Sequence, residues 1–368
     1  MKKIFLSLVS VILVCTLLIS CKKPENNDNT QDNTPKDDAP VISQDTEETE
    51  KYISPYTGLA CSDENIATKR PVAMMINNIK KATPQMGLAN ADIIYECLVE
   101  GGITRLMCIF SEYENLPETG SVRSSRDYYI DLAQCHDAIY SHCGGSTYAY
   151  DVLSERDIDN LDGVRDGSIS GCYWKNKERL RTMGYEHASM TDGKALCAAI
   201  SQKGYRTSVT EGFTQPLNFG EKDTEISGNT CTGLNVEFSS YAQSFFIFDA
   251  DTKEYLKGQY GKAHVDGYTN KPLSFKNIIL LSASYSRISG DEYGRLSLDF
   301  TGTGKGYYVT DGKYKEITWS KSSRTSKYAL YESDGKTPLI LNPGKSYIGI
   351  IPGTDSVSFD FKEVSSFE

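Results

Sequence analysis

The chain has no excess of positive charge: 39 Lys and Arg stand against 49 Asp and Glu in 368 residues, a formal net charge of −10. That balance lacks the basic footprint of a general nucleic-acid surface, so no nucleic-acid partner is expected. Ten cysteines contain no CxxC pair. The close Cys or His pairs of a zinc site are missing too, and no metal or other cofactor is expected. "GTGKGYY" (302–308) lacks the GxxxxGK[ST] spacing and runs into a strand pattern, which excludes a P-loop. "DIDNLDG" (157–163) has Leu161 where a calcium loop needs an oxygen ligand, and it reads as a solvated turn. No internal repeat marks a solenoid or propeller.

The N-terminus, by contrast, is explicit. Lys2 and Lys3 precede an apolar run from Ile4 to Ile19, then Ser20 and Cys21, the pattern of an export signal. Leu18-Ile19-Ser20-Cys21 resembles the lipobox of bacterial lipoproteins. That resemblance implies cleavage before Cys21, lipidation of its thiol, and attachment to the extracytoplasmic face of the cell membrane. The sixteen residues of the run fall short of the ~20 that span a bilayer as an uncleaved helix. Residues 22–51 carry nine acids and four lysines with almost nothing apolar. Such a segment cannot offset its ordering entropy, and self-repulsion extends it.

The expected organisation is a signal peptide over 1–20, an acidic tether over 21–54, a mixed α/β domain over 55–212, a linker over 213–234, and a β-rich domain over 235–368. The fold class is α+β. In the first domain "PVAMMIN" (71–77), "ADIIYECLVE" (91–100) and "TRLMCIFSEY" (104–113) read as strands. A two-residue loop at Gly101-Gly102 would set Leu98 opposite Arg105, with Glu96 and Glu100 diagonal to it on the same face. The other face would then collect Ile93, Tyr95, Cys97 and Val99 with Thr104, Leu106, Cys108 and Phe110 as core. "SSRDYYIDLAQC" (124–135) predicts a helix capped by Ser121 or Ser124. "DAIYSHC" (137–143) predicts a strand into Gly144-Gly145-Ser146, and "TYAYDVLSER" (147–156) and "GKALCAAISQKGY" (193–205) predict helices.

In the second domain "DADTKEY", "YVTDGKYKEITW" and "YESDGKTPLIL" set Asp or Asp-Gly between alternating runs. Asp-Gly favours a two-residue hairpin turn because Gly tolerates positive φ. With "NIILLSASY" and "SYIGII", six to eight strands are expected.

The runs "RPVAMMINN…PQMGLANADIIYECLVEGGITRLMCIF", "GSVRSSR" and "SHCGGS" resemble the N-terminal domain of the YerB-like lipoproteins. "YYVTDGKYKEITWSK…DGKTPLILNPGKSYIGIIP" resembles their C-terminal domain. The resemblance implies a two-domain surface lipoprotein; it implies no activity, because none is assigned to that family.

Eight cysteines follow Cys21. Cys97, Cys108 and Cys197 fall at inward positions, where a thiol behaves as a small hydrophobe, so mostly free thiols are expected. In "SHCGGS", Cys143 at a strand end is a candidate nucleophile, with His187 or His136 as base; the bland alternative is a tight glycine turn. Trp174 in "CYWKNK" and Trp319 in "ITWSKSS" either stack on sugar rings or anchor the core, and core is the expectation.

"GSVRSSRDYY" (120–129) puts Arg123 and Arg126 at the expected helix start, where the dipole disfavours cations. Compensation comes either from Glu96, Glu100, Asp127 or Asp131, or from a bound anion at the helix N-terminus held by the arginine forks. The candidate ligand-binding residues are therefore Arg105, Arg123 and Arg126, with Glu96, Glu100 and His142 around them. Three function classes follow: a surface protein binding a phosphate- or carboxylate-bearing wall polymer or precursor, an envelope enzyme acting on such a ligand, or a module docking another envelope protein.

Overall fold

Ser346–Ile351 pairs in parallel with Ile93–Leu98, so strands from the two halves of the chain lie in one sheet. The computed structural model describes residues 52–359; Cys21 and the acidic tether up to Lys51 lie outside them. The large sheet has eleven strands. Its N-terminal part runs Ile93–Leu98, Thr104–Phe110, Val72–Asn77, Ile139–His142, Asn160–Asp162. The last two strands continue in parallel from Val72–Asn77. On the other side of Ser346–Ile351 come Asn277–Ser282, Gly302–Thr310 and Lys313–Lys321. A second sheet of six strands is built on Gly233–Glu237, Gln243–Asp249 and Glu254–Gln259.

The central strands are buried on both faces, which is why VAMMIN, NIILLS and SYIGII are continuous apolar runs and not alternating ones. One face packs Tyr95, Met107, Tyr140 and Ile348 against the helices Asp127–Gln134 and Thr147–Glu155. The other packs Ile94, Leu106 and Tyr347 against Leu234 and Phe246 of the second sheet and Leu196 of the helix Gly193–Lys203. Each fully buried side chain of this kind contributes roughly 1.5–3 kcal/mol. The chain is α+β, with few helices and many strands. Asp311 and Gly312, at φ of 48° and 71°, form the expected Asp-Gly turn between Thr310 and Lys313.

The hairpin register differs from expectation by one residue. Val99 donates to Ile103 O at 2.8 Å, so the loop holds three residues, Glu100–Gly102, with both glycines in the left-handed region. Arg105 consequently faces Cys97, and Leu98 faces Thr104. A one-residue slip turns every side chain to the opposite face. Arg105 thus shares the face of Tyr95 and Met107, and Glu96 lies on the other one.

The helix at 124–135 also starts later than expected. It spans Asp127–Gln134, and its N-cap is Arg126, with no side-chain cap from Ser121 or Ser124. The backbone before it is committed elsewhere: Arg123 donates to Met75 O at 2.9 Å and Ser125 to Gly144 O at 2.8 Å. Arg123 and Arg126 therefore do not share a helix face. "DIDNLDG" is no solvated turn, since Asn160–Asp162 joins the sheet edge with Leu161 fully buried. Among the described residues thirteen strands, from Gly233–Glu237 onward, fall in or run into the second domain, more than six to eight.

Candidate functional site

The parallel strands Ile139–His142 and Asn160–Asp162 both run out at their carboxyl ends into glycine turns, Cys143-Gly144-Gly145 and Gly163-Val164-Arg165. Crevices at such ends are where open sheets with parallel strands hold ligands. Here the two turns, the segment Val122–Ser124 and the short strand Trp174–Lys175 enclose a cleft of about 680 Å³. The close approach requires glycine: a Cβ on Gly163 would stand 2.6 Å from Cys143 Sγ and 2.7 Å from the Tyr173 ring. Asp162 ties the turns together by accepting from Gly144 N and Val164 N, both at 2.9 Å, and from Tyr150 Oη at 2.8 Å. Ser146 caps the helix Thr147–Glu155 by accepting from Ala149 N at 3.1 Å, so this helix N-terminus adjoins the Gly144-Gly145 wall.

Three cations, Arg123, Arg165 and Lys175, line the cleft with one carboxylate, Glu186. Arg123 Nη2 donates to Glu186 Oε2 at 2.7 Å, and that Glu side chain is 66% exposed. The Arg165 guanidinium lies 3.3 Å from the centre of the Tyr150 ring, and Lys175 Nζ lies 3.7 Å from that of Tyr185. Lys175 also donates to Ser189 Oγ at 2.7 Å and Tyr185 O at 3.1 Å. Burial, with Arg123 nearby, lowers the Lys175 pKa from its ordinary value. Trp174 and Tyr173 complete an aromatic wall. Arg165, Tyr150 and Tyr185 sit in no pattern a sequence reader would recognise. The local signal in the sequence is the adjacency of Trp174 and Lys175. Trp319, by contrast, is core, donating Nε1–H to Ser282 O at 3.1 Å.

The expected arginine trio divides. Only Arg123 reaches the cleft. Arg126 makes a two-point contact with Glu100, Nε to Oε2 at 2.8 Å and Nη2 to Oε1. Arg105 lies 3.6 Å from the same carboxylate and donates to Ser124 O at 2.6 Å, supporting the cleft wall from behind. Burial and the neighbouring Arg126 push the Arg105 guanidinium down to about 9, and the two arginines hold Glu100 below the usual carboxylate range against its own burial. Asp127 and Asp131 pair with Arg324 instead. Glu96 belongs to a buried network on the far face of the sheet.

Cys143 lines the cleft, but burial pushes its thiol up to about 12. His142 is fully buried, with Nδ1 2.8 Å from Gly144 O, and orients the turn. His187 meets Asn77 Nδ2 at 2.9 Å, and burial lowers the pKa of both rings. His136 is buried between Tyr95 and Gln215. No histidine lines the cleft beside Cys143. All eight cysteines of the described residues are free thiols. Among those residues no group of three or more His, Cys, Asp or Glu could hold a metal, and no helix is long and apolar enough to cross a membrane.

Residues 56–206 match the family described as the N-terminal domain of a protein of unknown function, DUF3048, and residues 234–348 match its C-terminal domain. The Bacillus subtilis (strain 168) protein named "Putative lipoprotein YerB" is 31% identical over 364 residues, covering 97% of this chain and 98% of the relative. The crystal structure of YerB from Bacillus subtilis superposes with a TM-score of 0.72 at 30% identity, over 84% of this chain and 99% of that one. The sequence motifs, the two matched domains and the shared fold place this chain in the YerB-like lipoprotein family.

Proposed function

We propose that this protein is anchored by lipid on Cys21 to the extracytoplasmic face of the cell membrane and binds an anionic envelope ligand in the cleft. The ligand class is a phosphate- or carboxylate-bearing wall polymer or precursor. The lipobox-like Cys21, and a relative that bears a lipoprotein name, support the anchor. The observation that carries the ligand is the imbalance of three cations over one exposed carboxylate in a cleft walled by glycine turns and aromatic rings. Arginine forks match phosphate and carboxylate oxygens, and the rings offer faces to a sugar.

The direct test titrates inorganic pyrophosphate and a sugar phosphate into the full chain in detergent, by calorimetry. Saturable binding that falls about tenfold or more in Arg165→Ala and in Lys175→Ala is expected, because charge-assisted hydrogen bonds contribute roughly 1.5–3 kcal/mol. Absence of binding to pyrophosphate, to the sugar phosphate and, as the carboxylate probe, to galacturonic acid refutes the ligand reading. Cys21→Ala should leave uncleaved precursor that no longer partitions with lipid; unchanged processing refutes the anchor.

A further inference from the structure

A second cleft, of about 360 Å³, lies where the segment around Pro84 meets the hairpin of Glu254–Gln259 and Lys262–Ala263. It shares no residue with the basic cleft and is more apolar, with Lys262 as its one charged lining residue. Pro84, Tyr260, Val265 and Pro272 give it a largely apolar wall. Its frame is held rigidly: Tyr260 Oη donates to Asn78 O at 2.7 Å, and Gly267 N donates to Gln85 O at 2.7 Å.

Two of its lining residues carry buried polar atoms without a protein partner, Gln259 Nε2 and His264 Nδ1. The residues are 4% and 2% exposed. Buried polar groups are nearly always hydrogen-bonded, and leaving one unmade is costly. Two such atoms in one apolar cleft point to a ligand that supplies both bonds.

Their polarity is fixed by their neighbours. Gln259 Oε1 lies 3.4 Å from the Lys257 ammonium, which needs an acceptor, so Nε2 is the end left over and is a donor. Gln85 donates its own Nε2 to Asn77 O at 2.8 Å and Asn78 Oδ1 at 3.1 Å, leaving Oε1 to accept from His264 Nε2 at 2.8 Å. Burial, with Lys257 nearby, pushes the His264 pKa well below its ordinary value, so the ring is neutral. Its proton sits on Nε2, and Nδ1 presents a bare lone pair. The wall of the cleft therefore holds one unpaired donor and one unpaired acceptor, both closed off from solvent in this conformation, so a ligand meets them as the wall yields. In the hairpin Gln259 pairs with Lys262 and His264 N donates to Lys257 O. The two side chains are thus diagonal neighbours on one face, the residues on the order of 7–8 Å apart and their Cβ atoms somewhat closer.

We propose that this cleft binds a secondary amide carrying a small apolar group, its C=O accepting from Gln259 Nε2 and its N–H donating to His264 Nδ1. A trans amide points its donor and acceptor to opposite sides, as a slot between two diagonal side chains requires. A carboxylate could meet the Lys262 ammonium in the lining but brings no donor for His264 Nδ1, whereas a secondary amide serves both unpaired atoms. The chemistry has two envelope sources, an acetamido sugar and a peptide bond.

The test uses the full chain in detergent, with ¹⁵N-labelled histidine and glutamine. N-acetylglucosamine and N-acetyl-alanine methylamide are titrated separately, and N,N-dimethylacetamide, which lacks the N–H, serves as control. The expected result is saturable movement of the His264 Nδ1 and Gln259 side-chain resonances with one amide and not with the control. Whichever probe saturates identifies the source. Gln259→Met, which keeps length and removes the donor, should weaken that probe about tenfold. Pyrophosphate binding at the basic cleft should stay unchanged in this variant, which separates the two sites. The proposal is overturned if neither amide moves these resonances, if the control moves them equally, or if Nδ1 is already hydrogen-bonded to water in the free protein and stays so.

Discussion

Lys257 Nζ lies 3.4 Å from Glu96 Oε2 between the two sheets, both side chains being shut off from solvent. Glu96 comes from the N-terminal half and Lys257 from the C-terminal half. Around the pair, Asn78 at 3.1 Å, Thr104 at 2.7 Å, Ser244 at 3.0 Å and Tyr347 at 2.8 Å all donate to the carboxylate. Such an arrangement fixes how the halves dock, because its geometry is satisfied in one alignment only. The expectation that Glu96 would hold Arg105 fails because the register puts the two on opposite faces of the sheet, and the carboxylate meets these partners instead.

Breaking that pair should be expensive, and replacing both members should not. Lys257→Met is expected to cost about 3–5 kcal/mol by leaving a buried carboxylate without its counter-charge. Lys257→Met combined with Glu96→Gln should recover much of that loss, since no uncompensated charge remains. Urea unfolding gives the comparison through the midpoint at constant slope. A double variant no more stable than the single one would show that the two residues are not energetically coupled.

The two arginines that looked alike in the sequence should behave differently. Glu100 serves both Arg126 and Arg105, so Glu100→Ala leaves two buried guanidiniums facing one another and should cost about 3–5 kcal/mol. Arg123 pairs with an exposed glutamate, and Arg123→Ala should change stability by about 1 kcal/mol or less. Thermal unfolding separates the cases. Equal losses in the two variants would place Arg123 in the scaffold and remove it from the cleft's function.

These contrasts show where the sequence was readable. Val72–Asn77 and the Asp311-Gly312 turn announce themselves through local signals, a continuous apolar run and a dipeptide that tolerates positive φ. The register at Gly101-Gly102 did not, because two glycines are compatible with loops of two or three residues, and one residue decides which face Glu96 and Arg105 occupy. The parallel pairing of Ile93–Leu98 with Ser346–Ile351 has no local trace at all, being set by docking between distant segments. The cleft is half legible: Arg123 and Cys143 stand in recognisable local patterns, whereas Arg165, on a turn at the carboxyl end of the large sheet, and Lys175, on a strand of another sheet, come to one cleft only through the tertiary fold.

Cys143 should be an inert thiol. With its pKa raised to about 12, the thiolate fraction near neutrality is negligible, and the thiolate is the reactive species. Maleimide labelling of the native protein, mapped by mass spectrometry, should leave Cys143, Cys97 and Cys108 unmodified until denaturant is added. Cys143→Ala should keep pyrophosphate binding within about twofold of the parent. Fast native labelling at Cys143 would revive the nucleophile reading.

Acid should destabilise the fold through His136. Its Nε2 lies 2.7 Å from Tyr95 Oη and its Nδ1 2.7 Å from Gln215 Oε1. The amide oxygen can only accept, so Nδ1 carries the proton, Nε2 accepts from Tyr95, and Tyr95 accepts in turn from Tyr328 at 2.7 Å. Burial pushes the folded-state pKa down to about 4, against an ordinary 6.5 in the unfolded chain. Between those values the unfolded state binds the extra proton and the folded state does not. Stability is therefore complete above pH about 6.5 and lost as pH falls toward about 4, by about 3 kcal/mol for this group. The ring resonances of His136 should stay in the neutral form from pH 7 to 5, and His136→Gln should flatten the stability profile across that window. A ring that titrates near 6.5 in the folded protein would show that the Tyr328–Tyr95–His136–Gln215 chain is open to water, and the acid sensitivity would then have to arise elsewhere.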